Sequence, residues 1–304
     1  MAGRFITDNT LARRSYWINE IVQLSGSFGA DATRAEHELN AEYARDGEQC
    51  LLDHLRLCGT IPETYGHDSS EEKLYSKYTD ALLAVVFRHM GLQSTVLTER
   101  ADAADVDCVA EGYSFVADAK AFRMSRTAKN QKDFKVEAMA GWKREKPHAV
   151  VVCPIYHLPT RSSQIYQQAA ARSVAILTYS HLAVMCRYAS IVGVAKSTEL
   201  LFNVFSVVER MSPSKDAASY WHSVNYAMNS TCGTIPALWE EEQYATLEAI
   251  EASRSEALML LNAERTKIES MTHQQAIAAL LSSHNIAGRA SQASGIADNG
   301  ILGL

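Results

Sequence analysis

The apolar run Tyr113-Ser114-Phe115-Val116-Ala117 ends in Asp118-Ala119-Lys120. Side chains alternate along a strand with period 2, so an acid and a lysine two residues apart face the same way and reach one site. A strand that carries charge out of an apolar interior needs cover, and the surrounding sequence supplies it. Strand-like segments at 95–100, 105–110, 113–119, 148–153 and 173–178 are separated, in their later part, by helical patterns at 127–144 and 161–172. A strongly amphipathic helix over 69–90 precedes them, with Leu74, Tyr78, Ala81, Leu82, Val85 and Val86 recurring at helical spacing and Gly91 ending it. Helices before a group of strands, then alternation of strand and helix, predict an α/β fold with a mixed central sheet flanked by helices.

The flanks read as helical. Residues 1–65 form an N-terminal helical arm in two segments around a Gly-Ser turn at 25–29, 66–185 the core with its basic helix, 186–285 a C-terminal helical region, and 286–304 a flexible tail rich in Gly, Ala and Ser. Within the C-terminal region, Leu247, Ile250, Ala257, Leu261, Ile268 and Met271 fall at roughly heptad spacing, which fits a bundle helix or a coiled-coil seam equally. Thr272 and Gln275 predict a capping box for a last short helix. No apolar stretch approaches the roughly 20 residues of a membrane span, and the N-terminus leads into no signal-type segment. The six cysteines are scattered without a C-x-x-C pair, which suits reduced, buried thiols and a cytoplasmic setting without membrane association.

Net charge is −6, yet residues 120–146 carry nine Lys and Arg against three acids, a local balance of +6. A basic island beside an acid-lysine pair is where a phosphodiester backbone can dock. Two carboxylates plus substrate oxygens suffice for Mg²⁺, so Asp105 and Asp118 are the expected ligands, helped by the backbone carbonyl of Ala119. Lys120 would face the attacking water or the scissile phosphate. Asp107 shares a strand face with Asp105 and rivals it, and Glu72 is a further candidate acid that also fits the capping box begun by Ser69. Arg123, Ser125, Arg126, Lys129, Asn130, Gln131 and Lys132 are the expected DNA-binding residues; Asn and Gln suit adenine edges, Arg and Lys suit guanine or phosphate. Phe134, Ala138 and Trp142 would form the packed side of that basic helix. No G-x-S-x-G elbow, Walker A loop, G-x-G-x-x-G fingerprint or H-E-x-x-H helix is present.

Residues 116–120, Phe122-Arg123 and the block Ser-Arg-Thr-Ala-Lys-Asn-Gln-Lys-Asp-Phe-Lys-Val at 125–136 resemble the HindIII family of type II restriction endonucleases, with weaker similarity over about residues 65–185. The resemblance implies a PD-(D/E)xK restriction-endonuclease core and a bacterial homodimer that cleaves double-stranded DNA. Cleavage would require Mg²⁺, act at the palindrome AAGCTT and leave 5′-phosphate ends. By position it assigns Asp105, Asp118 and Lys120 as the catalytic set, with Ala104 standing where the motif has proline. A structure-specific or repair nuclease on the same core, and a noncatalytic DNA-binding relative, are the competing expectations.

Overall fold

The computed structural model describes residues 4–97, 103–126 and 131–294. Five strands form a single sheet in the order β1 (Gln93–Val96), β2 (Val106–Ala110), β3 (Tyr113–Ala119), β4 (His148–Cys153), β5 (Val174–Thr178). The first three are antiparallel neighbours, whereas β3 to β4 and β4 to β5 are parallel. The change follows from the connections. Glu111 and Gly112 close a two-residue hairpin between paired Ala110 and Tyr113, and Gly112 takes the positive φ of 87° that such a turn needs. The parallel pairs require longer crossovers, supplied by residues 120–147 with α5 (Val136–Trp142) and by α6 (Gln164–Arg172). Every residue of β4 and β5 is buried, which is why His148–Cys153 reads as an apolar run without alternation.

Four helices precede the sheet: α1 (Asp8–Ile21), α2 (Phe28–Asp46), α3 (Glu48–Leu57) and α4 (Ser70–His89). They are no detached arm, since Trp17, Ile21, Leu39, Leu51 and Leu55 join the same hydrophobic core as Phe115 and Val150. α4 lies along the sheet with the Phe87 ring edge-on to Phe115 at 5.2 Å. Its residues 78–87 are buried without exception. Beyond the sheet come α7 (Tyr179–Val192), α8 (Val194–Arg210), α9 (Ala217–Asn229) and α10 (Ile235–Glu269).

The chain divides into two compact units, residues 1–257 and 258–304. In the first, α10 buries Ala245, Ala249 and Ser253, one small residue per turn, while Leu247 of the expected heptad stripe is 65% exposed. Small side chains let the helix backbone approach closely, and polar ties fix it: Arg56 donates to Glu242 at 2.8 Å, and Arg14 to Glu256 at 2.9 Å. In the second unit Thr272 and Gln275 make the expected capping box at the start of α11 (His273–Ser283). The segment expected as a flexible tail begins with a further helix, α12 (Ile286–Ser294). Small residues suggest a flexible tail by composition, but Ala favours helix and Gly288 is a single interruption within Ile286–Ser294. All six cysteines are free and five are buried, and among the described residues no helix is long and apolar enough to cross a membrane.

Candidate active site

Asp118 is delivered by β3, whose last five residues are all buried. The pairing of Val106 with Ala117, carried one residue further, sets Asp105 beside Asp118 at the entry to β2. The strand end is held firmly. Lys120 N–H continues the ladder to Val152 O at 2.8 Å, and the Tyr179 hydroxyl donates to Lys120 O at 3.0 Å. Lys120 Nζ pairs with Asp118, so acid and lysine do share one face.

A third carboxylate completes the group, and it is Asp80 of α4. Carboxylate oxygens of Asp80, Asp105 and Asp118 all lie within 4.8 Å of one another. Asp80 and Asp118 have side chains only 3% and 2% exposed, whereas Asp105 is 28% exposed and opens the group to solvent. Burial is the main force pushing Asp118 above the usual carboxylate range, with Asp105 adding to it against the pull of Lys120. Asp80 is pushed well above its usual range, by burial first and then by Asp105. Three crowded oxygen ligands that repel one another suit a hard divalent cation, which takes carboxylate oxygens and retains waters. The donor chemistry therefore fits Mg²⁺.

Asp80 carried a readable signal that the sequence analysis passed over. Leu83, Ala84 and Phe87 stand three, four and seven residues after it, and all are fully buried, so an acid lies at the head of an apolar stripe of the helix. Glu72, the acid proposed from this helix, lies two turns earlier and elsewhere. Its backbone N–H is capped by Ser69 Oγ at 3.2 Å, and its carboxylate accepts from Asp68 N at 2.6 Å and Arg123 at 2.9 Å. Asp107 pairs instead with Lys146 at 2.7 Å and stands outside the carboxylate group. The geometry thus separates Asp105 from its rival.

The expected DNA-binding residues are distributed differently from a continuous helix. Lys129 and Asn130 lie outside the described residues. Gln131 begins a single 3-10 turn, Gln131–Phe134. Lys135 then adopts φ 49°, and α5 starts only at Val136. That left-handed residue resets the helical phase, so the buried side chains are Phe134, Val136 and Met139, with Ala138 and Trp142 only partly covered. Arg123 donates to Glu72, Tyr65 O and Gly66 O, and so ties the crossover to the start of α4. Ser125 N and Oγ both bond Glu63, at 2.9 and 2.7 Å. Arg126 pairs with Asp133 at 2.7 Å and lies over the Phe122 ring at 4.8 Å. Lys132 is exposed.

The chain is 42% identical over 137 residues to the type II restriction enzyme HindIII of Haemophilus influenzae; the match covers 44% of this chain and 46% of that relative, less than half its length. A family profile described as HindIII restriction endonuclease matches residues 14–296. The chain belongs to the HindIII restriction endonuclease family.

Proposed function

We propose that this protein is a type II restriction endonuclease with a PD-(D/E)xK core, hydrolysing phosphodiester bonds of double-stranded DNA with Mg²⁺ at a specific palindrome and leaving 5′-phosphate ends. The convergence of Asp80, Asp105 and Asp118 with Lys120 at one end of the sheet carries the reading. Asp80, Asp105 and Asp118 would hold the metal, with the Ala119 carbonyl alongside. Bound Mg²⁺ supplies Lewis acidity toward the phosphate and lowers the pKa of a coordinated water. Lys120, fixed through its backbone on both sides and 11% exposed, keeps an ammonium where negative charge develops on the phosphate. The half-open Asp105 marks the side from which a phosphate approaches.

Residues 125–136 are the proposed readout segment, with Lys129, Asn130, Gln131 and Lys132 as the residues proposed to contact DNA. Arg123, Ser125 and Arg126 act chiefly by shaping that segment, because Arg123 bonds Glu72, Ser125 bonds Glu63 and Arg126 pairs with Asp133. A palindromic site calls for a two-fold protein with two cutting centres, so a homodimer belongs to the same proposal. The specificity AAGCTT rests on the similarity of the readout block.

Digestion of plasmid DNA of known sequence with purified protein and Mg²⁺, with ends mapped to the nucleotide, tests this. Discrete cuts at AAGCTT with 5′-phosphate ends are expected. Discrete cuts elsewhere overturn the specificity and keep the chemistry, while tight binding without Mg²⁺-dependent cutting overturns the endonuclease.

A further inference from the structure

The carboxylate group contains a second ammonium that the proposed chemistry leaves unused. Lys77 stands one turn before Asp80 on α4, and spacing of three residues places the two on one helix face. Its Nζ lies 2.6 Å from Asp105 Oδ1 and 3.4 Å from Asp80 Oδ2, so one ammonium joins acids from two separate elements. Lys120 serves the third acid, Asp118, from another direction. The two lysines differ in freedom. Lys120 is 11% exposed, whereas Lys77 is 31% exposed, on a four-carbon stem with room to turn outward.

We propose that Lys77 is an internal counter-ion occupying the cation position between Asp80 and Asp105, and that it sets the divalent-ion concentration at which the DNA-free protein loads. The inference rests on the metal-site reading above. Two carboxylates less than 5 Å apart repel strongly when both are charged, and Lys77 offsets that repulsion while the ion is absent. The same contact makes Lys77 a competitor, because its ammonium must leave both acids before they ligate a metal. Its exposed side then gives it an exit toward solvent. A lysine here thus holds the acids together and keeps free enzyme from loading at low ion concentration.

The test is calorimetric titration of the DNA-free protein with Mn²⁺, comparing wild type, Lys77→Met, Lys77→Arg and Asp118→Asn, each checked for folding by circular dichroism and thermal melting. Lys77→Met removes a unit charge a few ångströms from a divalent ion, worth roughly tenfold in affinity even at a water-like dielectric constant. The expected result is about tenfold tighter Mn²⁺ binding in Lys77→Met, with Lys77→Arg within about twofold of wild type. Unchanged or weaker binding in Lys77→Met overturns the inference and makes Lys77 a positioning residue. Should Lys77→Met not fold, Lys77→Gln removes the same charge and is read the same way. Failure of the metal-site reading looks different: wild type and Asp118→Asn then bind Mn²⁺ equally, or neither binds.

Discussion

Two of the regions that bury acidic side chains treat them in opposite ways. Between α1, α2 and α3, Glu42 accepts from Arg13 Nε at 2.5 Å, Trp17 Nε1 at 2.8 Å and His54 Nε2 at 2.9 Å. Asp53 accepts from Thr10 at 2.9 Å, Gln49 at 3.0 Å and Arg13. Burial alone would raise Glu42, but the donors, led by His54, outweigh it and hold the carboxyl at about 2. At the sheet end Asp80 is buried as deeply, yet the donor described for it is Lys77 at 3.4 Å, and its near neighbours are two more carboxylates. Its pKa moves the other way. A carboxylate whose lone pairs are filled by protein donors is a structural element, whereas one facing other carboxylates keeps coordination capacity for a ligand.

Removing one acid from each region should separate the two roles most sharply. Asp80→Ala is expected to lower cleavage by a factor of roughly a hundred to a thousand or more while specific DNA binding persists. Asp80→Asn should be equally inactive and melt about 2–4 °C higher without metal, because burying a neutral amide removes the desolvation and repulsion of a charged acid. Cleavage by Asp80→Ala near the wild-type rate would break the comparison. In the N-terminal network the cost falls on folding. Arg13→Met strips the shared partner from Glu42, Asp46 and Asp53. Glu42 keeps Trp17 and His54, and Asp53 keeps Thr10 and Gln49, so losing the charged donor should cost roughly 1.5–3 kcal/mol in urea unfolding. The folded fraction should keep its specific activity; a variant that is stable but inactive would assign the network a functional part.

How much of this contrast the sequence disclosed depended on whether the signal was local. Asp118 and Lys120 were legible because a strand's period of 2 needs no tertiary information, and the sheet followed from apolar runs bounded by turns. Asp105 and Asp107 could not be separated locally, since both project from one strand face; the antiparallel register with β3 and the Lys146 partner of Asp107 distinguish them. Asp80 was hidden by the capping box that drew attention to Glu72, although its place on the stripe of Leu83, Ala84 and Phe87 was visible. The expected long basic helix failed for a conformational reason, the left-handed Lys135, which no composition rule anticipates. The burial of α10 through alanines rather than leucines was equally illegible, because which face is buried depends on how closely a neighbour approaches.

The donor-filled network also predicts a pH dependence whose sign follows from Glu42. Its folded value of about 2 lies below the ordinary carboxylate value, so its contribution is complete above pH 4.5 and is lost as pH falls from there toward 2. Glu42→Gln should therefore flatten the stability profile in that window, by up to about 1.4 kcal/mol per pH unit, the limit for one proton. Urea midpoints measured from pH 5 to pH 2.5 read this directly. An unchanged slope would mean that the donors around Glu42 do not favour its charged form.

The smallest expected effect comes from Glu72, and it tests the assignment of the third acid by exclusion. Glu72 and Asp80 share α4, but the Glu72 carboxylate is occupied by Arg123 and the Asp68 N–H, and its side chain is 21% exposed. Glu72→Gln keeps an oxygen to accept from Asp68 and weakens only a partly exposed ion pair, a loss of about 0.2–1 kcal/mol. Because Arg123 also bonds Tyr65 O and Gly66 O, the crossover should stay in place without that pair. Cleavage measured under single-turnover conditions should then remain within about threefold of wild type, a loss no larger than that pair energy converts to. A loss for Glu72→Gln as large as for Asp80→Ala would place the metal-binding acid of α4 two turns nearer its N-terminus, and the distinction between donor-filled and ligand-ready carboxylates would fail at the site that motivates it.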